Sequence, residues 1–265
     1  MRFGRLQRLR AAIADAAGRL PGGRDRGTGL LLPPVELRAG GDHFRRDRDF
    51  VRSAAREVGL LVRLAGLAPG SRVLDVGCGA GRLAYGLIAR FRDSIEYDGL
   101  DVMDAPIAWC RRTISTAHPG YRFTRVDVRN DRYNPGGVEE ALTAHLPFPA
   151  RRFDLIYAYS VFSHMRGRDV AAYLQEFRRL MAPSALIAVT AFIEEGVEDE
   201  AVNPPGYGPM VWSGELHCVR FSRISFEAAV RRAGLEMLDF EYGLETDGQS
   251  RAILGHAAAG SVEAC

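Results

Sequence analysis

The chain has 265 residues, 47% hydrophobic and 26% charged, a balance typical of a folded globular protein rather than a disordered one. Its formal net charge of +2 is too small to indicate nucleic-acid binding, and no apolar run reaches the roughly 18 residues of a membrane span. Cys78, Cys110, Cys218 and Cys265 lack metal-ligand spacing, so we expect reduced thiols in a cytoplasmic protein without a bound metal.

The first predicted element is an amphipathic helix at the N-terminus. Apolar residues such as Phe3, Leu9 and Leu20 recur at helical spacing, and arginines occupy much of the other side. Two interpretations stay open: weak contact with an anionic membrane surface, or packing on its own domain or on a second copy in a homodimer. Residues 21–27 predict a flexible linker, so we expect a lead-in over 1–49 and the main domain over 50–265.

Strands and helices alternate through the main domain, which predicts an α/β fold with a doubly wound, mainly parallel seven-stranded sheet and helices on both faces. After the fifth strand, residues 194–222 are polar, contain two adjacent prolines and predict a substrate lid. The predicted helices span 50–66, 80–91, 104–117, 170–181 and 225–233, and the predicted strands span 72–76, 97–102, 122–128, 153–160, 185–193, 235–242 and 250–256.

The most informative segment is Val-Leu-Asp-Val-Gly-Cys-Gly-Ala-Gly-Arg-Leu at 73–83. A buried strand runs into a glycine turn and then a helix, whose free N–H groups bind polar or anionic ligand groups. Gly77, Gly79 and Gly81 have the spacing Gly-x-Gly-x-Gly, whereas a dinucleotide fingerprint requires Gly-x-Gly-x-x-Gly. Asp75 lies on the buried strand, so we expect it to accept backbone hydrogen bonds and to reach the ligand.

Polar residues at the ends of the next strands extend the predicted site, because ligands bind at the carboxyl ends of such strands. Asp101 ends the second strand and can accept both hydroxyls of a ribose, and Asp127 ends the third. A solvated loop carboxylate remains the alternative interpretation of Asp127.

The run Asp75-x-Gly77-x-Gly79-x-Gly81 resembles motif I of the class I S-adenosylmethionine-dependent methyltransferases. The resemblance covers about 50–256, with 153–160 similar to motif IV, and 32–41 is similar to the lead-in of small-molecule or saccharide members. It implies that Asp127 and the Val128 N–H bind adenine, while Val102 and Met103 contact its faces. The implied cofactor-binding residues are Asp75, Gly77, Cys78, Gly79, Gly81, Asp101, Val102, Met103, Asp127, Val128 and Ser160.

Two histidines are candidate catalytic bases. His164 follows the fourth strand, where a methyl acceptor would meet the cofactor, and His217 lies in the predicted lid. A histidine that only hydrogen-bonds the loop backbone is the alternative for His164. Glu194 and Glu195 follow the fifth strand, but adjacent carboxylates of an extended chain point in different directions, which weakens a metal site there.

The sequence therefore predicts an S-adenosylmethionine-dependent enzyme that methylates a small molecule or saccharide, most simply at oxygen. N- or C-methylation, a nicotinamide-dependent oxidoreductase and a non-catalytic S-adenosylmethionine-binding protein are the alternatives. The glycine spacing and the lack of lysine oppose the oxidoreductase. Residues 203–207, Asn-Pro-Pro-Gly-Tyr, resemble a nucleic-acid methyltransferase signature, but they follow the wrong strand and contain an extra glycine.

Overall fold

A mainly parallel sheet with helices on both faces organises the computed structural model, which describes residues 19–20, 23–141, 145–207, 211–243, 245 and 247–257. The strands of this sheet are β1 Arg72–Val76, β2 Glu96–Asp101, β3 Tyr121–Arg125, β4 Phe153–Ala158, β5 Met181–Glu194, β6 Glu200–Val202, β7 Val219–Ser222, β8 Leu235–Glu241 and β9 Ser250–His256, and a separate two-stranded antiparallel sheet pairs Arg19–Leu20 with Arg24–Asp25. The α-helices are α1 Asp47–Ala65, α2 Arg82–Phe91, α3 Asp104–Cys110, α4 Gly167–Leu180 and α5 Arg223–Arg232. A π-helical turn, Arg111–Ser115, continues α3.

The strand order is β8-β9-β5-β4-β1-β2-β3. Strand β1 pairs in parallel with β4 and β2, so Val73 lies opposite Leu155 on one side and Tyr97 on the other. Only β9 breaks the parallel run of this order, because it is antiparallel to both β5 and β8 in the described chain. The predicted mainly parallel, doubly wound sheet is confirmed.

The sheet contains more strands than the seven predicted. Strand β7 pairs in parallel with the end of β5, and β6 pairs with β7, which makes nine strands in the described sheet. Both extra strands come from the irregular segment that follows β5. Their short length explains why they lack a readable alternation of apolar residues.

Alternating side chains of the sheet build two hydrophobic layers. Val73 packs with Leu61 and Leu87 on the side of α1 and α2, whereas Leu74 packs with Phe177 on the other side. Because both faces are covered, the central strands are apolar throughout, as parallel strands require. This leaves their carboxyl ends as the place where polar groups gather.

Helix ends follow local signals with one difference. Helix α1 ends at Gly66, which has the left-handed φ of 64° that favours glycine. The predicted helix spans 225–233, whereas α5 begins at Arg223 with Ser222 as its N-cap. The Ser222 side chain accepts a hydrogen bond from the Ser225 N–H, so the helix begins earlier than expected.

In its described part the lead-in packs on the domain, because Leu30 and Phe44 belong to the same hydrophobic layer as Val73. The predicted N-terminal helix lies outside the described residues, and so does its proposed membrane contact. The expected flexible linker is wrong over its described part, because Asp25 is buried and accepts hydrogen bonds from the Thr28 N–H and hydroxyl, both at 2.8 Å. Further along, the Arg38 guanidinium donates to the carbonyls of Pro33 and Phe44 and pairs with Asp47.

Candidate functional site

A cavity opens at the carboxyl ends of β1 and β4, where the strand order reverses. Ligands of doubly wound sheets bind at this switch point. The glycine turn after β1, the end of β2, the loop after β3 and the turn after β4 all contribute to its wall, and the lead-in covers one side. Of the predicted site residues, this cavity brings together Asp75, Gly77, Cys78, Gly79, Asp101, Val102, Met103, Val128, Ser160 and His164.

Each of the three motif glycines is required for a different structural reason. All three have a left-handed φ, and a Cβ on Gly77 would stand 2.4 Å from Val161 Cγ2. A Cβ on Gly81 would stand 2.7 Å from Ile114 Cδ1, so Gly81 permits helix packing and does not line the cavity. A Cβ on Gly79 would meet only the Ala39 Cβ at 3.9 Å. Gly79 is therefore the glycine that keeps cavity space free for a ligand.

Asp101 joins the second strand to the glycine turn. One carboxylate oxygen accepts the Gly79 N–H at 2.8 Å and the other accepts the Met103 N–H at 2.9 Å. Burial raises the pKa of Asp101, and these two backbone donors oppose the rise. Each oxygen still has a lone pair for a further donor, so the carboxylate can receive two hydroxyls.

Asp75 lies at the bottom of the site, only 3% exposed. Its partner is the Tyr97 hydroxyl, which donates at 2.6 Å, rather than the expected backbone N–H groups. Burial raises the pKa of Asp75 to about 7, while the Tyr97 hydrogen bond and the charge of Arg82 act in the opposite direction. The carboxyl therefore changes charge near neutral pH in the free protein.

A cation and aromatic rings form part of the wall that the sequence analysis missed. The Arg82 guanidinium lies 5.0 Å from the Phe44 ring centroid and 4.5 Å from that of Tyr159, and it donates to the Tyr157 hydroxyl at 3.1 Å. Tyr157 at the end of β4 and Tyr159 just after it are two residues apart, a spacing that could have indicated a shared face. Phe44 carries no comparable signal, because it reaches the site from the distant lead-in.

His164 lines the cavity and contacts two other loops. Its Nδ1 lies 3.0 Å from the Leu216 carbonyl oxygen, and its ring meets Tyr133 edge-on at 5.3 Å. A carbonyl can only accept, so Nδ1 carries the proton and Nε2 is the acceptor of the neutral ring. Burial lowers the pKa of His164 to about 4, which keeps the ring neutral at physiological pH.

The other predicted residues lie elsewhere. Asp127 is half-exposed, accepts from Asn134 and Arg125, and does not belong to the cavity wall, although Val128 beside it does. The Asn134 hydrogen bond lowers the pKa of Asp127. His217 also lies off this wall, where its Nδ1 accepts the Ser213 N–H at 2.7 Å.

The segment after β5 carries its own polar and aromatic contacts. Glu194 accepts from the Tyr207 hydroxyl at 2.8 Å, whereas Glu195 pairs with Arg223, so the two carboxylates do point in different directions. Among the described residues, no group of three or more histidine, cysteine or carboxylate side chains is arranged to hold a metal ion. No helix in the described ranges is long and apolar enough to cross a membrane.

The cavity fits the S-adenosylmethionine that the resemblance implies. Gly79 leaves its turn open, Asp101 offers two acceptors for ribose hydroxyls, and Val102 and Met103 offer apolar surface beside them. Asp75 supplies a buried carboxyl for a positively charged group. Gly81 and Asp127 are the two predicted cofactor-binding residues that do not belong to the cavity wall.

Comparison with known proteins also indicates a methyltransferase. A family model described as a methyltransferase domain matches residues 44–239. Methyltransferase GfsG of Streptomyces halstedii is 25% identical over 183 residues, which cover 65% of this chain and 55% of that protein. The 27-O-demethylrifamycin SV methyltransferase of Amycolatopsis mediterranei is 28% identical over 181 residues, 66% of this chain and 58% of the relative. The chain thus spans little more than half the length of these curated relatives.

A solved structure shares the fold. The 1,6-didemethyltoxoflavin-N1-methyltransferase of Burkholderia thailandensis, with bound 1,6-didemethyltoxoflavin and S-adenosylhomocysteine, superposes with a TM-score of 0.52. The match has 15% sequence identity and covers 78% of each chain. At this identity the likeness concerns the fold alone.

Proposed function

The chain belongs to the class I S-adenosylmethionine-dependent methyltransferase family, and on this basis we propose that it transfers the methyl group of S-adenosylmethionine to an oxygen of a small-molecule acceptor. The observation that carries the proposal is the pairing of the open Gly79 turn with the buried Asp101 carboxylate at the switch point. The oxygen-methylating rifamycin relative supports the choice of acceptor atom.

When bound, S-adenosylmethionine supplies a methyl group already activated by its sulfonium. The chain therefore has to bind, orient and exclude water rather than activate the donor. Asp101 would hold the ribose, Val102 and Met103 would contact the adenine, and Asp75 would supply the carboxyl for the ammonium group. A positive ligand beside Asp75 favours its charged form, so we expect binding to lower the pKa of this carboxyl.

His164 orients the acceptor hydroxyl and receives its proton. Its Nδ1–H is engaged by the Leu216 carbonyl, which leaves Nε2 as the acceptor of a ring that lines the cavity. Because its pKa is about 4, the ring is a weak base in the free protein, and hydrogen-bonded alignment contributes alongside proton removal.

Residues 194–222 form the substrate lid in this proposal, and the domain boundary lies near residue 50. Two contacts support the lid: the Leu216 carbonyl holds His164, and Arg132 donates to the Ser213 carbonyl at 2.9 Å. The segment thereby touches both the candidate base and the loop after β3. An acceptor bound beside His164 would therefore lie next to the proposed lid.

The test is incubation of the protein with ¹³C-methyl S-adenosylmethionine and fractionated metabolites of the host. We expect one fraction to gain the label and S-adenosylhomocysteine to accumulate in equal amount. The ¹³C chemical shift of the product separates methyl on oxygen from methyl on nitrogen or carbon. Failure to bind S-adenosylhomocysteine would reject the proposal outright, and a labelled nitrogen or carbon would reject its choice of atom.

A further inference from the structure

A closed ring of hydrogen bonds lies behind the turn that follows β4. The Ser160 N–H donates to Thr190 Oγ1 at 2.8 Å, and the Thr190 hydroxyl donates to Gln249 Oε1 at 2.9 Å. The Gln249 amide nitrogen then donates back to Ser160 Oγ at 2.9 Å. Thr190 and Gln249 are 2% and 1% exposed, so solvent water does not compete for these hydrogen bonds.

The ring holds a conformation that the backbone does not favour by itself. Ser160 has a φ of 55°, in the left-handed region that is costly for a residue with a side chain. The donor and acceptor directions of all three side chains agree around the ring, so every bond supports the same geometry. Asp247 further fixes the Gln249 amide by accepting from its nitrogen at 2.6 Å.

The turn after β4 contributes residues to the proposed cofactor site and leads to the candidate catalytic base. Ser160 and Val161 line the cavity, and Val161 fills the space beside Gly77. The next three residues form a 3-10 turn that ends at His164, whose N–H donates to the Val161 carbonyl at 3.0 Å. A change in the Ser160 backbone would therefore move the wall of the cofactor site and the candidate base together.

We propose that Thr190 and Gln249 are positioning residues, which hold Ser160 in its left-handed conformation and thereby set the turn that lines the cofactor site and leads to His164. The proposal rests on the proposed function, because it assigns these residues to the same site. Neither residue belongs to the cavity wall, so both act through Ser160.

The test compares Thr190→Val, which keeps the shape and loses the hydroxyl, with Thr190→Ser, which keeps the hydroxyl. The probe is S-adenosylhomocysteine, measured by calorimetry, with the melting temperature recorded for each protein. We expect Thr190→Val and Gln249→Met to bind at least about tenfold more weakly and Thr190→Ser to bind nearly as wild type. Wild-type affinity in Thr190→Val would overturn the proposal.

Ser160→Gly supplies the second arm, because glycine adopts a left-handed φ without steric cost. Thr190→Val should weaken binding much less in a Ser160→Gly protein than in the wild type, and this comparison does not depend on any direct contact of the Ser160 side chain with the probe. Loss of affinity that only follows loss of stability, and that is equally large in the Ser160→Gly protein, would show a purely structural role and overturn the proposal. A wild-type protein that fails to bind the probe would instead reject the proposed function.

Discussion

Val161 occupies the space that a side chain on Gly77 would need. A Cβ built on Gly77 stands 2.4 Å from Val161 Cγ2 but 3.8 Å from Val161 Cβ. The two residues belong to turns that follow different strands, β1 and β4, and they meet at the switch point. Glycine is thus required at position 77 both by the contact with Val161, in the turn after β4, and by the left-handed φ of 74°.

Gly77→Ala should destabilise the protein by about 2–4 kcal/mol, because steric overlap adds to left-handed strain. Val161→Ala removes the overlapping methyl, so the double variant should recover at least about 1 kcal/mol relative to additivity. Urea unfolding of the two single variants and the double variant measures this coupling. Strict additivity would mean that the two turns relax independently.

Gly79→Val should abolish binding of S-adenosylhomocysteine, because its side chain would enter the cavity space. Gly70→Val is the matched control: Gly70 also has a left-handed φ, 87°, and open space around it, but it lies outside the cavity. Calorimetry should show lost binding in the first variant and retained binding in the second. Wild-type protein should not bind NAD, and tight NAD binding would refute the cofactor assignment.

Asp101→Ala should weaken S-adenosylhomocysteine binding by about 1.5–3 kcal/mol, the range for hydrogen bonds to a charged group. The change also frees the Gly79 N–H, which loosens the turn. Asp127→Ala provides the comparison, and we expect a much smaller effect because its carboxylate is held by Asn134 and Arg125 away from the cavity wall. Equal losses in both variants would restore Asp127 to the cofactor site.

Asp75→Asn should stabilise the free protein increasingly as the pH rises from about 4 to 8. The folded pKa of about 7 exceeds the unfolded value of 3.8, so between these values the unfolded protein releases a proton that the native protein keeps, and the native protein loses stability as the pH rises. Three pKa units correspond to about 4 kcal/mol at most. Thermal melts of both proteins at several pH values test this, and a constant difference would show that Asp75 ionises without penalty.

His164→Ala should lower turnover about 10²-fold while leaving S-adenosylhomocysteine affinity nearly unchanged. The acceptor form of His164 is the neutral ring, which is lost only as the pH falls through about 4. The kcat/KM profile should therefore lack a histidine inflection near 6.5. Full turnover in His164→Ala together with a loss in His217→Ala would move the base to the proposed lid.

Local patterns predicted the parts of the site that depend on neighbouring residues in the chain. The strand at 72–76 and the glycine turn need only apolar alternation and left-handed positions, and both are confirmed. Asp101 is likewise found at the end of its strand, within the cavity wall. The cofactor role of Asp127 stays a prediction, and its hydrogen bond from Asn134, seven residues later, is a contact that no local pattern indicates.

Properties that depend on distant chain segments were beyond sequence reasoning. The low pKa of His164 results from burial by the loop around Leu216, and no local spacing reports that contact. The place of Arg82 between Phe44 and Tyr159 similarly joins three separate segments. For both residues the sequence gives the chemical type of the side chain, but it does not predict the burial and the distant contacts that modify its properties.

The lead-in determines where the N-terminal boundary of an expressed fragment should lie. Arg38, Ala39 and Gly40 belong to the cavity wall, yet they lie before residue 44, where the family match begins. Arg38 also stabilises the lead-in by donating to the Pro33 and Phe44 carbonyls. A fragment that begins at residue 44 would keep every motif but lose three residues of the cavity wall, so we expect the shortest fragment with an intact site to be longer than the family match.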